Sequence, residues 1–218
     1  MPSERADSGL ERRTAHRAFG DIGRTVLGED IALNVKLVVA GGSGVGKTTL
    51  VGSVSEIRPL RSEEAADGGG REGSGAGGRT RGTTTTVAMD FGRITVHAGL
   101  SLYLFGMPGQ DRFRFLWDEL CAGALAAVVL ADARRLEDCF TAVDQVERAR
   151  VPFVVAVNRF PEAPGRTECD VARALGLDRG TPVVLCDARD RASGKEVLIR
   201  AVEYAGRVHT ARLLASLG

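Results

Sequence analysis

Residues 41–49 read GGSGVGKTT, preceded by NVKLVVA at 34–40 and followed by LVGSVSEI at 50–57. The stretch fits G-x-x-x-x-G-K-[ST] through Gly41, Gly46, Lys47 and Thr48. A buried strand that feeds a glycine-rich turn and then a helix points successive backbone N–H groups, together with the positive end of the helix dipole, at one spot where a phosphate fits. Ser43, Gly44 and Val45 supply the middle of that turn, and Thr49 follows it into the helix. In such a turn Lys47 reaches the terminal phosphates and the Thr48 hydroxyl suits Mg²⁺. Composition supports a special role for the lysine. Of 29 basic residues only Lys36, Lys47 and Lys195 are lysines, and a compact ammonium fits a phosphate cradle where a broad guanidinium does not. The motif implies a triphosphate site and says little about the attached base.

The chain has 218 residues, 44% of them hydrophobic, and a formal net charge of +1. That suits one soluble α/β domain with its own core. A near-zero charge supplies no broad field for nucleic acid or for an acidic membrane. Cys121, Cys139, Cys169 and Cys186 are too widely spaced for a C-x-x-C metal site, so reduced and mostly buried thiols in the cytoplasm are expected. No apolar stretch is long enough to span a bilayer, MPSERADSGLERR lacks the apolar middle of a signal peptide, and ARLLASLG carries no prenylation cysteine. A cytoplasmic location without a direct membrane anchor follows as an expectation.

Residues 1–32 are polar, arginine-rich and interrupted by glycines, which reads as a disordered extension. Within it ERRTAHRAFG is either a docking element or a solvated tail. Asn34–Ala40 is a nearly continuous apolar run, as a central parallel strand buried on both faces should be. A helix over 47–57 is predicted, stopped by Pro59. Residues 61–82 are glycine-dense and read as a flexible loop between that helix and the next strand. Strands over Thr86–Val96 and Leu100–Phe105 follow, joined by a tight turn as an antiparallel hairpin. Ala124–Asp132 and the run ending at Asn158 read as further buried strands. RRLEDCFTAVDQVERAR has apolar residues at helical spacing, and the last unit is a helix over 167–175, a strand in TPVVLCDA and a helix over 194–210.

TTTTVAMDFG at 83–92 and GMPGQDRF at 106–113, with the phosphate loop upstream, resemble the Ras-like small GTPases. Within them the chain is most similar to the gliding-polarity GTPases and the conservon-encoded GTPases of actinobacteria. The likeness covers Asn34 to the C-terminus, apart from the glycine-rich loop. It implies that the Gly109 N–H meets the γ-phosphate and that Gln110 orients the attacking water. It also implies that a threonine of the flexible loop, Thr86 by spacing or else Thr85, serves Mg²⁺ and the γ-phosphate. Arg81 or Arg79 either folds over the γ-phosphate in cis or is a solvated loop charge. Relatives carry an aspartate where this chain has Gly106, and Asp90 in the neighbouring strand either replaces it or is an ordinary strand residue.

At the base end, Asn158 stands where such GTPases carry N-K-x-D, and the stem of Arg159 takes the place of the lysine over the base. The base-reading aspartate is replaced by Pro161, with Glu162 one position on. In CDAR, 186–189, the resemblance places Ala188 at the backbone N–H for the guanine O6, with Asp187 beside it as a base-site residue or a turn former. DRFRFLWDELC, 111–121, matches the second switch helix, where Trp117 is either core or a partner anchor.

The expected architecture is a three-layer α/β/α P-loop fold of about six mostly parallel strands. The first functional reading is a switch that binds GTP with Mg²⁺ and slowly hydrolyses it to GDP. Its partners by resemblance are a roadblock-type regulator and a membrane sensor kinase complex, which would hold it at the membrane periphery. Two other readings stay open, a non-hydrolysing nucleotide-dependent scaffold with relaxed base choice and an ATP-using P-loop protein.

Overall fold

The strand before the phosphate loop, β1 (Leu33–Gly41), lies at the centre of the sheet. Its neighbours are β4 (Leu100–Gly106) and β5 (Ala126–Asp132), both parallel to it. Leu37 and Val39 face one layer of helices while Val38 and Ala40 face the other, which is why the run has no polar alternation. The computed structural model describes residues 33–58, 60–67, 84–97, 99–109, 116–161, 163 and 165–217, with 60–67, 84–88 and 97 described in backbone only. The extension at residues 1–32 lies outside these residues, as do Arg79 and Arg81 in the glycine-rich segment.

Among the described residues the sheet has seven strands, in the order β2 (Leu60–Asp67), β3 (Thr84–His97), β4, β1, β5, β6 (Phe153–Asn158) and β7 (Val183–Cys186). β3 pairs antiparallel with β4, as the hairpin reading required. β6 and β7 extend the parallel part. The strand beyond the expected six is β2, antiparallel to β3. It takes the start of the stretch expected to be a flexible loop from 61 onward. An edge strand is held by its backbone ladder alone and needs no apolar run, so its polar sequence does not advertise it.

Helices cover both faces. On one lie α1 (Lys47–Val54) and, continuing past the other elements, a long C-terminal helix; on the other lie α2 (Trp117–Cys121), a 3₁₀ turn (Leu136–Cys139), α3 (Phe140–Arg148) and α4 (Glu168–Ala174). Thr167 and Asp170 form a reciprocal capping box that starts α4. The C-terminal helix, α5 (Arg191–Ser216), begins three residues before the sequence reading because the Asp190 carboxylate accepts the N–H groups of Ala192 and Ser193. No proline then interrupts it, and it runs past residue 210.

α1 ends at Val54, earlier than expected, because Ser55 turns extended and its hydroxyl bonds to β3, accepting the Arg93 N–H at 3.2 Å and donating to the Ile57 carbonyl at 2.7 Å. The same end of α1 is approached closely from two sides. A Cβ at Gly92 would fall 2.8 Å from Val51 Cγ1, and a Cβ at Gly194 of α5 would fall 2.6 Å from Val54 Cγ1. Glycine therefore lets β3 and α5 close on this helix. Among the described residues no helix is long and apolar enough to cross a membrane.

Candidate functional site

The phosphate loop leaves β1 at Gly41 and enters α1 at Lys47. Gly41, Gly44 and Gly46 take positive φ of 136°, 73° and 108°, which side chains resist. Gly46 has a second reason to lack one, since a Cβ there would sit 2.7 Å from Asn158 Nδ2. Ser43, Thr48 and Thr49 are exposed around this turn, while Val45 is buried and anchors it in the core. The Lys47 ammonium folds back onto the loop, donating to the carbonyls of Gly41 at 2.9 Å and Gly42 at 2.7 Å. Burial brings its pKa down to about 8, against the opposing pull of the Asp90 charge.

Lys47, Thr48, Asp90, Gly106 and Gly109 converge. The Thr48 hydroxyl donates to a carboxylate oxygen of Asp90, which is only 8% exposed. Asp90 is paired across the ladder with Gly106, and a Cβ on Gly106 would lie 3.0 Å from the Asp90 Cβ. The Asp90 side chain thus occupies the space beside the residue that lacks one. A Cβ on Gly109 would come within 2.8 Å of Lys47 Nζ, so this glycine lies directly against the ammonium. Trp117 fixes the approach to it by donating its indole N–H to the Pro108 carbonyl at 3.2 Å. The tryptophan is buried in the core, which rules out its expected alternative use as an exposed partner anchor.

The oxygen donors at this point suit a hard divalent cation. Among the described residues no cluster of three or more His, Cys, Asp or Glu side chains could hold a metal alone. Mg²⁺ needs less than that, since it is commonly bound through one or two carboxylates plus substrate phosphates. Thr48 and Asp90 fit that pattern.

At the other end of the loop Asn158, buried at the tip of β6, ties three segments together. Its Nδ2 donates to the Val45 carbonyl at 3.0 Å and its Oδ1 accepts the Ala188 N–H at 3.0 Å. The Arg159 N–H donates to the Cys186 carbonyl at 2.8 Å, which leaves the Arg159 side chain exposed beside the loop. Asp187 receives a two-pronged contact from Arg189, Nε at 2.9 Å and Nη2 at 2.8 Å, and the hydrogen bonds hold its pKa down at about 2. It also accepts the Arg189 N–H at 2.9 Å, so it is a turn former here. Asp132, at the tip of β5, likewise receives the Arg134 N–H at 2.9 Å, and the Arg134 guanidinium stacks 4.1 Å over the Phe160 ring.

Not every expected residue reaches this cluster. Thr85 and Thr86 lie in the β2–β3 ladder opposite Ala66 and Ala65. Thr86 stands four positions along β3 from Asp90, roughly 13 Å of strand, so Thr85 and Thr86 occupy a different part of that strand from the Thr48–Asp90 contact. Gln110, Arg81 and Glu162 lie outside the described residues. Sequence reasoning overlooked Gly42, whose carbonyl takes the Lys47 ammonium, and the two arginines that hold Asp132 and Asp187. The signal for the latter was an Asp-x-Arg spacing at both strand ends.

A family model described as "Conserved hypothetical ATP binding protein" matches residues 77–208. The chain is 30% identical over 127 residues to an uncharacterized protein of Methanocaldococcus jannaschii, covering 57% of this chain and 70% of that one. Among solved structures it is similar to the G domain of the FeoB iron transporter of T. maritima, with a TM-score of 0.55 and 19% identity over 79% of this chain and 99% of that one. The GDP form of the FeoB cytosolic domain matches equally well at 20% identity, but the chain spans only 64% of that longer protein. At these identities the likeness to FeoB concerns the fold, which is that of a P-loop G domain.

Proposed function

The chain belongs to the family described as conserved hypothetical ATP binding proteins, and from that premise we propose that it is a Mg²⁺-dependent nucleotide switch that binds GTP and hydrolyses it slowly to GDP. The observation that carries the reading is the contact of Thr48 with the buried carboxylate of Asp90, set beside Lys47 and opposite Gly106. In this reading the loop N–H groups and Lys47 grip the β- and γ-phosphates, for which Lys47 exchanges its two carbonyl partners for phosphate oxygens. Thr48 and Asp90 would hold Mg²⁺, which when bound offsets phosphate charge. Gly109 presents its N–H to the γ-phosphate, and Gln110 orients water. Thr86, inside β3, would join only by leaving its pairing with β2, and Arg81 would neutralise γ-phosphate charge in cis.

Asn158 supports guanine through its hold on Ala188, whose segment is then kept beside the base, with Arg159 and Glu162 flanking. Pro161 stands where a carboxylate would read the guanine edge, and the family's description names ATP. These two observations favour a second reading with adenine or relaxed base choice. A narrower likeness to the gliding-polarity and conservon-encoded GTPases supports signalling through a roadblock-type regulator and a sensor kinase complex at the membrane.

Titration calorimetry with GTP, GDP and ATP, with and without Mg²⁺, followed by a phosphate-release assay, separates these readings. Mg²⁺-dependent GTP binding with slow phosphate release is expected. Tight binding without release makes the protein a non-hydrolysing scaffold, and a preference for ATP moves it to the second reading. If Lys47→Ala leaves triphosphate affinity unchanged, the site is misassigned.

A further inference from the structure

At the opposite end of the sheet from the phosphate loop, the turn end of the β3–β4 hairpin and the helix α5 enclose an apolar groove of about 370 Å³. Val96, Leu100 and Leu102 form one wall, and Ile199 and Val202 form the other, with Lys195 and Glu203 as its charged residues. Val96 and Ile199 are each 54% exposed, a large open fraction for aliphatic side chains that face one another across a groove.

The chain itself arrives at this groove. β1 begins at Leu33, which is in register with Leu100 of the groove wall. Paired residues of neighbouring strands share a sheet face, so Leu33 stands on the groove side, and it is 58% exposed. The residues just before it read IGRTVLGEDI from Ile22 to Ile31 and carry Ile22, Val26, Leu27 and Ile31 within ten positions. This stretch also carries Arg24, Glu29 and Asp30, charges of both signs to set against Glu203 and Lys195. Leu27 is six residues from Leu33, and at no more than about 3.6 Å per residue its reach from the groove-side start of β1 is at most about 22 Å. Because the tether is short, docking is intramolecular and needs little intrinsic affinity.

We propose that residues 22–31 of the same chain occupy the groove between the β3–β4 hairpin and α5. Val26 and Leu27 would enter the apolar floor, where they cover Val96 and Ile199. The inference is independent of which nucleotide the phosphate loop takes.

The test uses the full chain carrying Cys169→Ser and Ile199→Cys, with maleimide labelling followed at neutral pH. Cys121, Cys139 and Cys186 are buried and report on the integrity of the fold. Adding Val26→Asp and Leu27→Asp should speed labelling of position 199 by about tenfold or more, equivalent to about 1.4 kcal/mol of docking. Equal rates with and without the two aspartates overturn the proposal. Protection that deepens with protein concentration also overturns it, in favour of a second copy in the groove. If the buried cysteines label in the aspartate variant, the decision passes to Leu27→Cys paired with Ile199→Cys in the Cys169→Ser chain. An intramolecular disulfide on mild oxidation supports docking, and its failure to form refutes it.

Discussion

Exchanging the charge between Asp90 and Gly106 tests whether the β3 carboxylate serves the metal. Asp90→Asn keeps the shape of the side chain beside Thr48 and removes its charge. Loss of a residue that orients or assists a metal commonly costs 10–100-fold in affinity, or about 1.4–2.7 kcal/mol. Nucleotide affinity in Mg²⁺ should fall by that factor, while affinity in EDTA should hold or rise slightly, because a negative charge has left the phosphate end. Gly106→Asp alone should also be harmful, for a different reason. Its Cβ would meet the Asp90 Cβ at 3.0 Å, and two carboxylates about 4 Å apart repel by about 4 kcal/mol at an effective dielectric constant near 20. In the double variant that repulsion disappears, and the new aspartate stands on the neighbouring strand at the same rung. Calorimetry with Mg²⁺ titrated against a fixed nucleotide concentration closes the cycle. The expected coupling is positive, with the double variant recovering at least part of the Mg²⁺ dependence. If Gly106→Asp is equally damaging in both backgrounds, or Asp90→Asn leaves the Mg²⁺ dependence intact, the carboxylate has no role with the metal.

Two further expectations follow from the same geometry. Burial places the Lys47 pKa at about 8, and a triphosphate bound beside it would raise that value; binding should then take up a proton near and above pH 8, and affinity should be flat below about pH 7.5 and fall by up to tenfold per pH unit above about 8. Calorimetry in buffers of different ionisation enthalpy reads the proton uptake, and Lys47→Ala should abolish it. Asn158→Ala removes both bonds that join the phosphate loop to the segment after β7; a loss of about 1–3 kcal/mol in denaturant unfolding is expected for the groups left unpaired, with weaker nucleotide binding beside it. Wild-type stability in that variant would mean water replaces the amide at no cost.

The segment from β1 to α1 was legible because two independent signals agree there, a strand with no polar break and a glycine-lysine-threonine turn at its end. β2 was not, since LRSEEAAD has the composition of a loop and becomes a strand only through the ladder that β3 offers it. Helix ends went astray where a single side chain decides them, Ser55 for α1 and Asp190 for α5. Asp90 was legible only as an even choice, because its value depends on cross-strand register. A sequence shows a missing acid at 106 and an acid at 90 without showing that they share a rung. Trp117 posed a related difficulty, since an aromatic among arginines reads more often as core but also as a surface anchor until the Pro108 carbonyl is seen to take its N–H.

The short helix behind the phosphate loop has only eight residues, too few to be stiff unaided. Its tail is wedged by Gly92, Ser55 and Gly194, none of which belongs to the nucleotide cluster. Lys47 and Thr48 therefore ride on a lever whose fulcrum lies at the other end of the helix. A single added methyl at residue 194 would fall 2.6 Å from Val54 Cγ1, and if Lys47 and Thr48 hold nucleotide as proposed, weaker binding is expected while every contacting group remains chemically intact.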